Sequence, residues 1–221
     1  MKPLIVINLK TYETGTGKKA LNLAKLAEEV SISTGSKFIF CVQPTDIRAI
    51  SSQVKIPIYA QHIDPITYGS NTGYILPESV KSAGAKGTLL NHAERKIDHK
   101  ILKTSISIAK DKGLKVIACA DSVKEANQIA HFSPDYIAIE PPELIGGDIS
   151  VSTAKPQIIT GTIDAVKKVD LNIKVLVGAG IKTSLDVKKS VELGAAGVLL
   201  ASGVTRAKSP KKVMQDLVSL V

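Results

Sequence analysis

Short apolar runs alternate along the chain with segments whose apolar residues recur every three or four positions. Most of the short runs are continuously apolar, which is typical of β-strands that are buried on both faces. They predict eight strands: Leu4–Leu9, Lys37–Val42, Pro57–Gln61, Gly87–Asn91, Lys115–Ala120, Asp135–Glu140, Lys174–Gly178 and Gly197–Ala201. The segments between them predict helices, and the helical signal is weakest after the second and third strands.

Capping residues mark the ends of several of these helices. Asp98 precedes an apolar-periodic segment and belongs to a residue type that is favoured at N-caps. Ser122 and Glu125 have the spacing of a capping box, in which each side chain bonds the other residue's backbone N–H. Thr183 is placed to begin a helix that Gly194 ends. These signals agree with helices between the predicted strands.

The repeated strand–helix units favour one fold class. Strands joined by helices form parallel sheets with right-handed crossovers. Eight such units in 221 residues predict a closed (β/α)8 barrel, with one α/β domain over residues 1–221. The alternative is an open doubly wound sheet, whose first strand–helix turn usually carries a glycine-rich dinucleotide fingerprint. The turn at residues 10–17 has no G-x-G-x-x-G pattern, which favours the barrel.

The charge balance raises the question of a nucleic-acid partner. Lysine and arginine number 29 against 20 acidic residues, which gives a net charge of +9. The lysines are spread over many segments and lack the interleaved aromatic residues that stack on bases. We therefore predict solvated helix faces and no nucleic-acid partner, with a positive field that steers a small anionic substrate toward a cleft.

Other features of the sequence indicate a cytoplasmic protein. No run of about 18 apolar residues is present, which predicts no membrane span. The N-terminus leads directly into a strand-like run, without the regions of a signal peptide. Cys41 and Cys119 lie inside apolar runs and are expected to be small core residues in a reducing compartment.

Polar side chains stand at the carboxyl ends of three predicted strands. Asn8 and Lys10 are two residues apart and point the same way, His92 follows the fourth strand, and Glu140 ends the sixth. Two prolines follow Glu140 and stop that strand. Each residue alone has a structural explanation, such as a surface lysine or a histidine whose ring nitrogens are hydrogen-bonded. Because the carboxyl ends of barrel strands form the active face, their coincidence there predicts a catalytic site.

Two further segments suggest ligand contacts. Residues 143–147 follow the prolines with an apolar middle and a glycine-rich end, a pattern that suits a closing lid. Gly178–Gly180 after strand seven and Ala201-Ser202 after strand eight allow backbone N–H groups to approach an anion, and Val204–Ala207 is the predicted short helix beside them. Glycines are also needed for tight turns, so this evidence alone is weak.

Taken in order, these motifs resemble those of the triosephosphate isomerase family in its short archaeal form. The resemblance covers the whole chain. It rests on Asn8-Leu9-Lys10, Asn91–Arg95, Ile139–Glu143, Ile145-Gly146, Gly178–Gly180 and Ala201-Ser202.

The resemblance implies interconversion of glyceraldehyde 3-phosphate and dihydroxyacetone phosphate, without metal or organic cofactor. It implies that Glu140 is the base and His92 the electrophile, the established pairing for that family. It also implies that Lys10 stabilises the enediolate and that Asn8 helps to place the substrate. The substrate-binding residues that it implies are Asn8, Leu9, Lys10, Ile145, Gly146, Gly180, Ala201 and Ser202.

The chain also departs from the common bacterial and eukaryotic pattern. The lid begins Pro-Pro-Glu without the usual tryptophan, and Gly180 stands where a serine would bond the phosphate. Ala201-Ser202 replaces a glycine pair. These changes put the phosphate contacts in question, and not the reaction. Several helices look shortened, and the archaeal form covers the exposed barrel surface by forming a tetramer, which is the assembly expected here.

Two alternative functions stay open. One is another phosphosugar barrel enzyme, such as an epimerase or a synthase, that shares only the phosphate site. An epimerase would need metal-binding histidines at strand ends, and His62, His99 and His131 do not form such a set. The other is a basic nucleic-acid-binding protein, which would bind with a steep dependence on salt.

Overall fold

The structure is a computed structural model that describes residues 2–142 and 150–221. Eight parallel strands close into a barrel in chain order, with β1 pairing both β2 and β8. The (β/α)8 barrel prediction is therefore confirmed, and each predicted strand is present with its ends shifted by at most one residue. The strands are β1 (Leu4–Asn8), β2 (Lys37–Val42), β3 (Ile58–Ala60), β4 (Gly87–Leu90), β5 (Lys115–Ala120), β6 (Tyr136–Ile139), β7 (Lys174–Val177) and β8 (Gly197–Leu200).

Helices surround the barrel, and those after the second and third strands are short, as the weak helical signals predict. None of the described helices is long and apolar enough to cross a membrane. The described α-helices are α1 (Gly17–Thr34), α2 (Ile47–Ser51), α3 (Pro77–Ser82), α4 (His99–Asp111), α5 (Val123–Ala130), α6 (Val151–Ala154), α7 (Pro156–Lys167), α8 (Ser184–Glu192), α9 (Ser202–Thr205) and α10 (Pro210–Leu217).

The strands bury both faces, which explains their continuous apolar runs. Val6 points into the barrel with the two cysteines, whereas Ile5 and Ile7 pack between the barrel and the helices. Both cysteines are free and buried, as expected for core residues. Because side chains on a strand alternate, the inward position of Val6 also directs Asn8 inward.

The predicted helix ends are partly confirmed. Asp98 accepts a hydrogen bond from Lys100 N at the start of α4, and Thr183 forms a complete capping box at the start of α8. The capping box at Ser122 is half formed: Ser122 Oγ accepts from Glu125 N, but the Glu125 carboxylate bonds Asp121 N instead of Ser122 N. The backbone N–H of Asp121 therefore holds the Glu125 side chain in place of Ser122 N.

The short helix after strand eight is displaced from its predicted position. The prediction of Val204–Ala207 is wrong by two residues, because α9 spans Ser202–Thr205 and begins directly after the strand. Ala201 O accepts the N–H groups of Val204 and Thr205, so the turn closes on the last residue before the helix. Ser202 is consequently the first helical residue.

Candidate functional site

Asn8, Lys10, His92 and Glu140 line one cavity of about 70 Å³ at the carboxyl ends of the strands. They follow or end β1, β4 and β6, which lie apart in the sequence but finish at the same rim. The structure thus brings these four side chains to one place.

Lys10 has a left-handed backbone, with φ of 48°. This conformation costs a non-glycine residue about 1–2 kcal/mol, and surrounding hydrogen bonds hold it. Gln61 Nε2 donates to the carbonyl oxygen of Lys10 at 2.9 Å and to Asn8 Oδ1 at 3.2 Å. Asn8 Oδ1 also accepts from Lys10 N at 3.0 Å. Asn8 and Gln61 therefore set the direction in which Lys10 leaves the strand end.

The Lys10 ammonium is paired with an acidic side chain. Its Nζ lies 2.8 Å from Glu94 Oε1, and the two side chains are 17% and 59% exposed. The cation is therefore half-buried at the cavity, whereas its partner faces solvent.

The imidazole of His92 has one tautomer that satisfies its contacts. The Glu94 backbone N–H donates to His92 Nδ1 at 3.2 Å, so the ring proton resides on Nε2. His92 Nε2 lies 3.6 Å from Glu140 Oε1 and lines the cavity. A neutral imidazole in this position presents an N–H donor to whatever the cavity holds.

Glu140 is a buried carboxylate, 3% exposed, at the end of β6. Its backbone N–H donates to Ala120 O at 2.8 Å, and among the described residues its Oε2 has no hydrogen-bond partner. Burial raises the pKa of the Glu140 carboxyl, and the nearby His92, Cys119 and Lys10 oppose that rise. A raised pKa suits a carboxylate that accepts and returns a proton near neutral pH.

The glycine at residue 178 makes room for that carboxylate. A Cβ there would lie 2.3 Å from Glu140 Cγ, closer than two such atoms can approach. The small residue was predicted to let a ligand approach the backbone. The structure shows a further reason for its small size, which is the close contact with Glu140.

The predicted phosphate-binding residues Gly180, Ala201 and Ser202 line the same cavity. Gly180 has φ of 71°, a left-handed value that favours glycine. Ser202 opens α9, where the first N–H groups of a helix have no partner within it. These groups offer donors to an anion.

Leu9 does not take part in the cavity through its side chain. Although the family motif places it among the substrate-binding residues, it is fully buried in the core outside the barrel. Neighbouring residues on a strand point to opposite faces, so Asn8 faces inward and Leu9 faces the helices. Ile145, Gly146 and the predicted lid lie outside the described residues.

Several residues at the site were not among the predicted site residues. Tyr12, Lys182 and Gly203 also line the cavity, and Gln61 holds the strand end. Tyr12 and Lys182 each stand two positions after a predicted site residue. Their nearness in the sequence to Lys10 and Gly180 was the signal that could have identified them. Gln61 ends a predicted strand, but its partners on β1 appear only in the folded barrel.

Comparison with known proteins points to one family. The family model described as triosephosphate isomerase matches residues 3–220. The chain is 46% identical over 218 residues to the triosephosphate isomerase of Methanocaldococcus jannaschii, covering 99% of this chain and 100% of that protein. It is 47% identical to the triosephosphate isomerase of Methanothermus fervidus, covering 99% and 98% of the two chains. The corresponding protein of Methanosarcina acetivorans is 42% identical over 219 residues, 99% of each chain.

Proposed function

This chain belongs to the triosephosphate isomerase family, and from that premise we propose how its residues interconvert glyceraldehyde 3-phosphate and dihydroxyacetone phosphate. The reaction moves one proton between two adjacent carbons and another between their oxygens, through an enediolate. It needs a base, a donor that polarises the carbonyl, and a site for the phosphate.

Glu140 is the base. Its carboxylate takes a proton from the carbon beside the carbonyl, and the electron pair of the broken C–H bond moves toward the carbonyl oxygen. The protonated carboxyl then returns the proton to the neighbouring carbon. The raised pKa of Glu140 supports this role, as does its Oε2, which has no hydrogen-bond partner among the described residues.

His92 is the electrophile. Its Nε2–H donates to the carbonyl oxygen and then transfers a proton between the two oxygens of the enediolate. The observation that carries the proposal is the distance of 3.6 Å between His92 Nε2 and Glu140 Oε1. That separation lets a base act on a carbon while a donor acts on the oxygen bonded to its neighbour.

Lys10 stabilises the developing negative charge, and Asn8 helps to place the substrate. A fixed cation beside a developing oxyanion lowers the barrier more in a water-excluded site than in water. The position of Lys10 on the cavity wall supports this role.

The phosphate is held by backbone N–H groups near Gly180, Ala201 and Ser202. The left-handed turn at Gly180 and the start of α9 support that arrangement. Ile145 and Gly146, with the lid, stay predictions from the family motif. A closing lid would exclude water and prevent loss of phosphate from the enediolate.

A coupled assay in both directions tests the proposal. Purified wild-type protein should convert each triose phosphate into the other without added metal, and isomerisation in D2O should introduce deuterium on the carbon beside the carbonyl. A folded protein that fails to isomerise either substrate would contradict the proposal. Epimerisation of a longer phosphosugar would instead favour the alternative barrel enzyme.

The assembly proposed for this chain is a homo-oligomer, with a tetramer as its expected form, in the cytoplasm. Large apolar side chains are exposed at several places, including Tyr68, which is 77% exposed, and Ile32, which is 78% exposed. Exposed apolar side chains of a single chain are covered when subunits assemble, which supports the proposed oligomer. Light scattering should give four times the chain mass of 23.4 kDa, and a monomer at micromolar concentration would contradict the assembly.

A further inference from the structure

A hydrogen-bonded series of side chains holds the backbone that carries His92. We propose that Asn91 and Glu125 are positioning residues for the His92 imidazole, and that Lys96 balances the charge of Glu125. The inference rests on the proposed function, because it concerns the reaction that His92 serves.

Asn91 is the residue before His92, and its side chain has several partners. It is 1% exposed and has a left-handed backbone, with φ of 58°. Its Nδ2 donates to Cys119 O at 2.9 Å and to Glu125 Oε1 at 3.0 Å. Its Oδ1 accepts from Ile97 N at 3.1 Å. The last bond closes a ring around residues 92–96, so hydrogen bonds fix both ends of the loop that bears the imidazole.

The end of β5 anchors both reacting side chains. Asn91 Nδ2 donates to Cys119 O, and the next carbonyl, Ala120 O, accepts from Glu140 N at 2.8 Å. Two consecutive carbonyl groups therefore fix the positions of the electrophile and of the base. Loss of the Asn91 amide would leave Glu140 in place and release His92, which would change the 3.6 Å distance between their side chains.

Glu125 supplies the other acceptor for Asn91. Its Oε2 accepts from Asp121 N at 2.6 Å, and its Oε1 lies 2.7 Å from Lys96 Nζ. The side chain is 14% exposed. Burial acts to raise the pKa of Glu125, but the bonds from Lys96, Asp121 N and Asn91 outweigh it and hold the pKa below its ordinary value. An ionised acceptor makes a stronger hydrogen bond to the Asn91 amide than a neutral one does.

Charge balance explains the presence of Lys96. A buried carboxylate without a partner would be costly, and Lys96 Nζ also contacts Asp121 Oδ1 at 2.7 Å. The capping-box spacing of Ser122 and Glu125 predicts a different use for this carboxylate. In the structure it turns toward Asp121 and Asn91, so it joins the start of α5 to the end of β4.

A second ion pair serves as a matched control. Glu78 and Lys112 lie 2.7 Å apart, with side-chain exposures of 15% and 38%. The corresponding values for Glu125 and Lys96 are 2.7 Å, 14% and 34%. Within residues 2–142 and 150–221, no hydrogen bond or ion pair joins Glu78 to a residue that lines the cavity. Glu125 also bonds Asn91 and Asp121 N, so its removal should cost more stability than removal of Glu78. Of the two carboxylates, only Glu125 contacts Asn91.

The test compares Asn91→Gly, Glu125→Ala, the double variant and Glu78→Ala in the coupled assay. Glycine keeps the left-handed backbone accessible while it removes the amide. We expect kcat to fall about tenfold or more in Asn91→Gly and by a smaller factor in Glu125→Ala, since misplacing a reacting group by about 1 Å can cost about 10²-fold. KM should stay within about twofold of wild type in both variants, because phosphate binding is untouched.

The double variant decides whether Glu125 acts through Asn91. In the Asn91→Gly background, Glu125→Ala should lower kcat by less than about twofold more, because residues that act as one unit are not additive. Glu78→Ala should lose less thermal stability than Glu125→Ala and should keep kcat.

Fully additive losses, or a wild-type kcat in both single variants, would overturn the inference. So would an equal fall of kcat in Glu78→Ala. If Asn91→Gly does not fold, the comparison of Glu125→Ala with Glu78→Ala still decides. A wild-type protein that fails to isomerise would instead contradict the proposed function, so the two failures can be told apart.

Discussion

Replacing Gly178 with alanine tests whether the position of the Glu140 carboxylate governs the reaction. The new Cβ would lie 2.3 Å from Glu140 Cγ and 3.0 Å from its Cδ. Non-bonded carbon atoms pack at about 3.5–4.0 Å, so Cγ must move by roughly 1.2 Å or more. Because a displacement of about 1 Å at a reacting group can cost about 10²-fold in rate, we expect kcat to fall by about that factor.

The stability of this variant should change less than its activity. Glu140 can rotate away from the new methyl group, so we expect a loss at or below the low end of the roughly 1–3 kcal/mol that overpacking costs. The matched control is Gly161→Ala within α7, where the new Cβ would lie 3.7 Å from Val123 Cγ2, an ordinary contact. The control should keep kcat and should gain stability, since alanine favours a helix interior by about 1 kcal/mol over glycine.

The measurements are steady-state kinetics in both directions and thermal unfolding followed by circular dichroism. A Gly178→Ala protein that folds and retains kcat within about threefold of wild type would refute the reasoning, because the contact with Glu140 would then have no bearing on the reactive geometry. It would mean that the carboxylate acts from another rotamer.

Further predictions concern Glu140, Lys10 and His92. Glu140→Gln should lower kcat by at least about 10²-fold, and a fully active variant would remove Glu140 from the role of base. Because burial raises the pKa of Glu140 in the folded state, its ionised carboxylate destabilises the folded protein. Glu140→Gln should therefore be more stable than wild type at pH 7. This gain in stability should shrink as the pH falls toward 4.5. Lys10→Ala should weaken both substrate binding and turnover, and unchanged kinetics would indicate a structural role. Nitrogen NMR of His92 should show the proton on Nε2, and a spectrum with protonated Nδ1 would contradict the hydrogen bond from Glu94 N.

The fold is largely predictable from the sequence because the barrel requires its strands to be buried on both faces. Strands such as β5 are covered on one face by barrel side chains and on the other by helices, which produces continuous apolar runs. Polar residues at the ends of such runs are then conspicuous. Glu140 and His92 could be located in this way, because strands that end at one rim bring distant residues together.

Contacts between neighbouring strands are less predictable. Gln61 looks like the ordinary end of a strand until its amide is seen to bond the backbone of Lys10. Gly178 looks like a turn glycine until the Glu140 side chain is seen to occupy the space of its missing Cβ. The capping-box spacing predicted that Glu125 bonds Ser122 N, but its carboxylate bonds Asp121 N and the Asn91 amide, which comes from another loop. A local sequence pattern does not reveal contacts between residues that are distant in the chain.

The proposed base, Glu140, and the cation, Lys10, are held in different ways, and the difference follows from burial. Glu140 is enclosed, so its protonation state responds strongly to the few groups around it. The Lys10–Glu94 pair is open to water on the Glu94 side, which is 59% exposed. Ion pairs in such positions contribute only about 0–1 kcal/mol. A triose phosphate that enters the cavity can therefore draw Lys10 away from Glu94 at little cost. Glu140, in contrast, keeps its position because its backbone bonds β5 and its side chain occupies the space beside Gly178.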